Sequence, residues 1–251
     1  MLPTQITRSR ECWRVAGVLV VVVGLCWAWI VPMSLDMAGR MAGAAAWMMT
    51  GTWDAPHMLL LFAMWVVMMT GMMLPSAAPA ALQVVRGRRP DAADGSAVRD
   101  ALAFAGGYVA VWAGFSLLAT VAQRVLDHAQ ILSPMMEIQD ARWSTVFLVV
   151  AGVYQFTPFK RARLQSCRCA SGMLSGAGFR RGVRNGVNGL GCCWALMLLL
   201  FVGGVMNLWW NLGLTLFVFL EKIVRPGWPR ACVISLPVIA AGLWLAARKF
   251  G

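Results

Sequence analysis

The stretch from His57 to Leu82 reads HMLLLFAMWVVMMTGMMLPSAAPAAL and contains no Asp, Glu, Lys or Arg. It is longer than the roughly 20 apolar residues a helix needs to cross a bilayer, so it predicts a membrane span and with it an all-α chain. Inside it Met64, Met68 and Met72 recur at i, i+4 and i+8 on one helical face, with Met69 and Met73 flanking. Thioethers and thiolates are soft donors that select Cu(I)-like ions over Mg or Ca. The same spacing also suits methionine as a flexible filler of irregular helix packing. Pro75 and Pro79 are expected to end or kink this helix and to free backbone carbonyls that protein or water must satisfy. A plain helix terminus beside Ser76 is the competing reading.

Outward from this stretch, 60% hydrophobic and 13% charged residues exclude an ordinary soluble domain. The pattern predicts a single integral membrane domain, a polytopic bundle of about seven spans near 15–32, 57–82, 102–123, 143–159, 188–206, 208–224 and 231–247, or six if one is re-entrant. The first is read as an uncleaved helix, because its apolar core is long and no small-x-small cleavage site follows directly. With the N-terminus in the cytosol, Lys and Arg concentrate inside, with Arg248 and Lys249 as exceptions, which leaves the side of the C-terminus open. The net charge of +12 is thus mainly a topology signal, and no aromatic-plus-basic surface points to nucleic acid. The outer segment from Met33 to Pro56, with Met33, Met37 and Met41, suits a helix lying at the interface, by burial or by metal capture.

Seven cysteines in such a chain do not form a disulfide framework, since cytosolic thiols stay reduced. Gly191-Cys192-Cys193-Trp194-Ala195-Leu196-Met197 carries two thiols into a span from its cytosolic side, and Met197 lies one turn beyond Cys193. At 1.5 Å rise per residue, Cys193 lies about 8 Å inside the span, and Met197 and Met73 about 14 Å. Adjacent helical side chains leave the axis about 100° apart, so Cys192 and Cys193 are expected either to bridge to different helices or to leave only one of them as a ligand. In the preceding loop Cys167-Arg168-Cys169 has a spacing that lets two thiolates pinch one ion, with Arg163 and Arg168 favouring the thiolate. Buried free cysteines are also common small hydrophobes. The many loop glycines, Gly172 to Gly191, mean flexibility or close packing, and no phosphate-loop pattern accompanies them. Glu221, at the inner end of its span, is expected to pair with a loop arginine, and Lys222 to snorkel. Met206 and Asn207 close a short outer turn, with Trp209 and Trp210 as interface anchors. No catalytic motif is present, so an enzyme is not expected.

These segments together resemble an uncharacterised bacterial family of predicted metal-binding integral membrane proteins. The resemblance rests on Met64-Trp65-Val66-Val67-Met68-Met69-Thr70-Gly71-Met72-Met73-Leu74-Pro75-Ser76, Tyr154-Gln155-Phe156-Thr157-Pro158-Phe159-Lys160, the Gly191 to Met197 segment, Gly204-Val205-Met206-Asn207 and Glu221-Lys222. It implies a metal-binding role. The chain departs from the family pattern at Arg163 and at Gly189, where the pattern has cysteine.

The sequence therefore sets out a bacterial inner-membrane protein that handles a soft metal, copper first, in transport or delivery. Its candidate ligands are Met64, Met68, Met72, Met73 and Met197 in the membrane, and Cys192, Cys193, Cys167 and Cys169 at the cytosolic end. Glu221, Met206 and Asn207 are accessory candidates. Expected partners are the lipid bilayer and a metallochaperone or partner membrane subunit. The alternatives are a thiol-redox component acting through the same cysteines, or a structural subunit of a membrane complex.

Overall fold

A computed structural model of the chain describes residues 2–38, 54–87, 96–133, 136–168 and 177–223. They form seven helices: α1 (Leu2–Ala38), α2 (Ala55–Arg86), α3 (Ser96–His128), α4 (Ala141–Gln155), α5 (Pro158–Arg168), α6 (Gly178–Gly203) and α7 (Leu208–Ile223). Four helical segments, Ser9–Met37, Ala55–Arg86, Val98–His128 and Gly178–Gly203, are long and apolar enough to cross a membrane. α4 and α7, with 15 and 16 residues, are shorter than the roughly 20 of a full crossing. The expected span 231–247 lies outside the described residues, and among the described residues four helices meet the length and composition of a span.

The differences have local causes. The apolar run expected over 143–159 is cut at Phe156-Thr157 because Pro158 cannot continue a helix. Thr157 instead caps α5, its Oγ1 accepting the Lys160 N–H at 3.3 Å with Pro158 in the first helical position. α6 starts ten residues before the expected 188. Met33 and Met37, placed in an outer interfacial segment by sequence, continue α1, and both are buried. α2 runs unbroken through Pro75 and Pro79. Pro75 has no N–H to give Gly71, and the Trp27 indole of α1 takes that carbonyl instead at 3.3 Å.

α6 packs most extensively against α3, and α2 lies between α1 and α3 and touches α7. The α3–α6 seam explains the glycines. Gly178, Gly182 and Gly186 recur every fourth residue of α6, and a Cβ on them would run into Asp100, Phe104 and Val111, themselves spaced along one side of α3. Glycine costs a helix interior about 1 kcal/mol relative to alanine. Here the missing side chains let two backbones approach, the small-xxx-small arrangement of membrane helices. At the opposite end Gly204 turns the chain with φ +88°, and Asn207 caps α7 by accepting the Trp210 N–H at 3.2 Å. The half-buried Trp210 donates its indole N–H to the Leu199 carbonyl at 2.9 Å, whereas Trp209 is exposed. Val20 and Leu25 of α1, Leu118 of α3, Val153 of α4 and Leu216 of α7 are exposed, so the outer faces of the bundle are apolar.

Candidate metal centre

Every methionine of the 64–73 series is sealed from solvent: Met64, Met68, Met69, Met72 and Met73 are each 2% exposed or less, as is Met197. From Met68 to Leu74 α2 is buried all round, so its thioethers point to several neighbours rather than one. Met68 is claimed by the N-terminal end of α7. Asn211 Nδ2 approaches its sulfur at 3.8 Å while bonding the Val205 carbonyl at 2.8 Å, next to the buried Met206.

The registration of α2 and α6 follows from Trp65 and Phe201, whose rings lie 5.4 Å apart. The two helices run in opposite directions, so equal rise places Met69 level with Met197, and Met73 level with Cys193, to within about one turn of ~5.4 Å. Met73 therefore sits nearer the thiols than the sequence-derived depth implied. Tyr108 supports this level, its hydroxyl donating to the Met73 carbonyl at 3.3 Å from α3.

The thiols form the centre. Cys192 Sγ and Cys193 Sγ are 3.1 Å apart, and Cys192 Sγ also reaches the Gly189 carbonyl at 3.2 Å. The expected divergence of adjacent side chains is thus overcome by their rotamers, and both thiols are buried. Cys167, at the end of α5, shares a hydrogen bond with Cys192. Cys169, the second member of the Cys-x-Cys pair, lies outside the described residues. Among the described residues no group of three or more His, Cys, Asp or Glu side chains is placed to hold a metal ion. What the centre offers is soft: two touching thiols, a third at hydrogen-bonding reach, and thioethers on the level of Met73.

The surroundings are polar and were largely hidden from sequence reading. Glu221 pairs not with a loop arginine but with Lys160 of α5, at 2.6 Å, and the lysine is 2% exposed. Gln155 also bonds the Lys160 ammonium. Lys222 does not snorkel outward: Nζ donates to Ser76 Oγ at 2.8 Å and to Tyr108 Oη at 3.4 Å. The chain's two tyrosines both brace the centre, since Tyr154 donates to the Gly191 carbonyl and stacks edge-on against Trp194 at 5.0 Å. Arg163 bonds Asn188 Oδ1 at 3.0 Å and lies against Gly191. Arg163 and Gly189 therefore both border the thiols. Lys160 and Lys222 were visible as motif letters, but only the packing of α5 and α7 against α6 shows that both turn inward.

Cys167 is the one thiol of the cluster outside the apolar spans. The hydrogen bond from Cys192 pulls it below the ordinary thiol range, outweighing burial, with Lys222 and Arg163 assisting. A lowered thiol pKa means thiolate at lower pH. Iodoacetamide labelling of Cys167, followed by peptide mass spectrometry, should reach half-maximum at lower pH in the native chain than in Cys192→Ala. Identical profiles would show that Cys192 does not act on it.

These features define an all-α bundle with a sulfur-rich, charge-compensated interior at one end. The model of the family described as PpoB2: Copper chaperone matches residues 62–245, and the chain belongs to that family. Neither the curated proteins nor the solved structures contain a match.

Proposed function

We propose that the chain is an inner-membrane protein that binds Cu(I) as cargo and passes it on, with the N-terminus and the thiol centre on the cytosolic side. The observation that carries this reading is the 3.1 Å contact of two buried thiols, with Cys167 beside them. Soft sulfur donors without imidazole or carboxylate suit a soft monovalent ion, and two or three of them are enough for Cu(I). Cys192 and Cys193 are the primary ligands, and Cys167, Cys169 and Met73 complete the cytosolic end. Met64, Met68, Met72 and Met197 line the way through the membrane, with Met206 and Asn207 at its outer mouth. Membership of a family described by copper chaperoning supports copper as the ion. The basic residues of α5 and of the first turns of α6, at the thiol end, support the cytosolic placement. Delivery then needs a partner, a soluble metallochaperone or a second membrane subunit.

The test is metal content by elemental mass spectrometry after anaerobic Cu(I) loading of the detergent-purified chain. About one Cu(I) per chain is expected, lost in Cys192→Ser/Cys193→Ser. Unchanged copper in that variant would remove the assignment.

A second reading, thiol redox, is favoured by the Cys167–Cys192 contact. Cys192 and Cys193 cannot be its pair in ordinary geometry, since neighbouring Cα atoms lie about 3.8 Å apart and disulfides use about 4.4–6.8 Å. A reversible Cys167–Cys192 crosslink in metal-free protein would support it.

A further inference from the structure

The Lys222 ammonium is held beside the thiols by hydroxyls rather than by a carboxylate. Ser76 and Tyr108 are its partners, and its charge also lies 5.9 Å from the Tyr108 ring centroid. The neighbouring carboxylate, Glu221, is already compensated by Lys160 at 2.6 Å. A Cβ added at Gly189 would stand 3.6 Å from Lys222 Nζ, and the Gly189 carbonyl receives the Cys192 thiol at 3.2 Å. Gly189 therefore separates the ammonium from the Cys192 thiol, with one on its Cα side and the other on its carbonyl.

We propose that Lys222 is a specificity-determining counter-charge, which favours monovalent soft cations over divalent ones at the thiol centre. This rests on the Cu(I) reading above and adds the basis of selection. The charge count gives the mechanism. Cu(I) held by the two primary ligands, Cys192 and Cys193, with Cys167 outside the shell as a neutral thiol, yields an anionic bis-thiolate complex and releases two protons to solvent. The complex carries −1, and Lys222 brings the centre to zero. A divalent ion on the same two thiolates yields a neutral complex and leaves Lys222 at +1, as it is in the metal-free centre, so the ammonium gives that ion no gain. In a buried setting an uncompensated charge is the costly outcome. Removing the ammonium reverses the preference, since the Cu(I) complex is then the charged one.

The experiment uses the full chain in detergent under anaerobic, reducing conditions, with Cu(I) and Zn(II) each titrated against a competing chelator. Lys222→Met should weaken Cu(I) by about ten-fold or more, and leave Zn(II) binding unchanged or tighter. Lys222→Arg keeps the charge and should keep most of the Cu(I) affinity. Equal loss of both metals in Lys222→Met would make Lys222 a structural residue only, and no change in either would also overturn the proposal. Should Lys222→Met fail to fold, the native chain still decides: it should prefer Ag(I) to Cd(II), and comparable affinities would count against the charge rule. A native chain that binds no Cu(I) at all would sink the Cu(I) reading itself, whereas normal Cu(I) binding with an unaltered metal ratio in Lys222→Met would sink this inference alone.

Discussion

Gly182→Leu should abolish the folded protein. A Cβ at this position collides with the carbonyl oxygen of Phe104, which belongs to the backbone of α3 and has no side-chain freedom with which to give way. Overpacking a core usually costs about 1–3 kcal/mol because side chains shift. Here α3 and α6 must separate along the seam that Gly178, Gly182 and Gly186 share, so the loss should exceed that range. Gly182→Ala should already lower the melting temperature in detergent, and Gly182→Leu should yield no monodisperse protein by size-exclusion chromatography. Gly213, around which nothing lies within 4 Å, is the control: Gly213→Ala should be tolerated. Normal folding of Gly182→Leu would mean that the two helices are not in contact there.

The second large effect concerns the ion pair between Lys160 and Glu221. Both side chains are largely withdrawn from solvent, 2% and 11% exposed, and 2.6 Å apart. Removing one partner of a buried pair typically costs about 3–5 kcal/mol, because the other charge stays buried alone. Replacing both by apolar groups of similar volume is often near neutral. Lys160→Met alone and Glu221→Leu alone should therefore each destabilise strongly in thermal unfolding. The double variant should recover a large part of the loss. Additive losses would show that the pair's value lies in separate contacts of the two residues.

The contrast between these two sites shows what was legible in the sequence. The apolar runs, the methionine spacing and the Cys192-Cys193 pair could be read directly, because periodicity and composition are local. The start of α6 was not legible, because Gly178, Arg180, Arg181, Gly182 and Arg184 combine poor helix formers with charge and read as loop. Packing against α3 overrides that preference, and the Arg181–Asp100 ion pair, at 3.9 Å, binds the same end. The continuation of α2 past Pro75 was equally hidden, since it depends on Trp27, 44 residues away, to satisfy Gly71. The thiols could be named from sequence, but their company could not. Nothing local shows that Lys160, Lys222 and Tyr108 turn inward, because α3, α5 and α7 bring them there from widely separated parts of the chain.

The methionines illustrate the same limit from the other side. A stripe at i, i+4 and i+8 suggested one ligand face, yet Met68 is engaged by Asn211 at the start of α7. Met73 lies level with Cys193, near the opposite end. The series is thus spread along the helix axis rather than gathered at one point.

The central claim is that copper is held by sulfur at Cys192 and Cys193. X-ray absorption at the copper edge of the Cu(I)-loaded chain tests it directly. The account predicts a first shell of sulfur alone, and in Cys192→Ser/Cys193→Ser either no bound copper or a shell changed to include lighter atoms. A nitrogen or oxygen shell in the native protein, or an unchanged sulfur shell in the double variant, would contradict it.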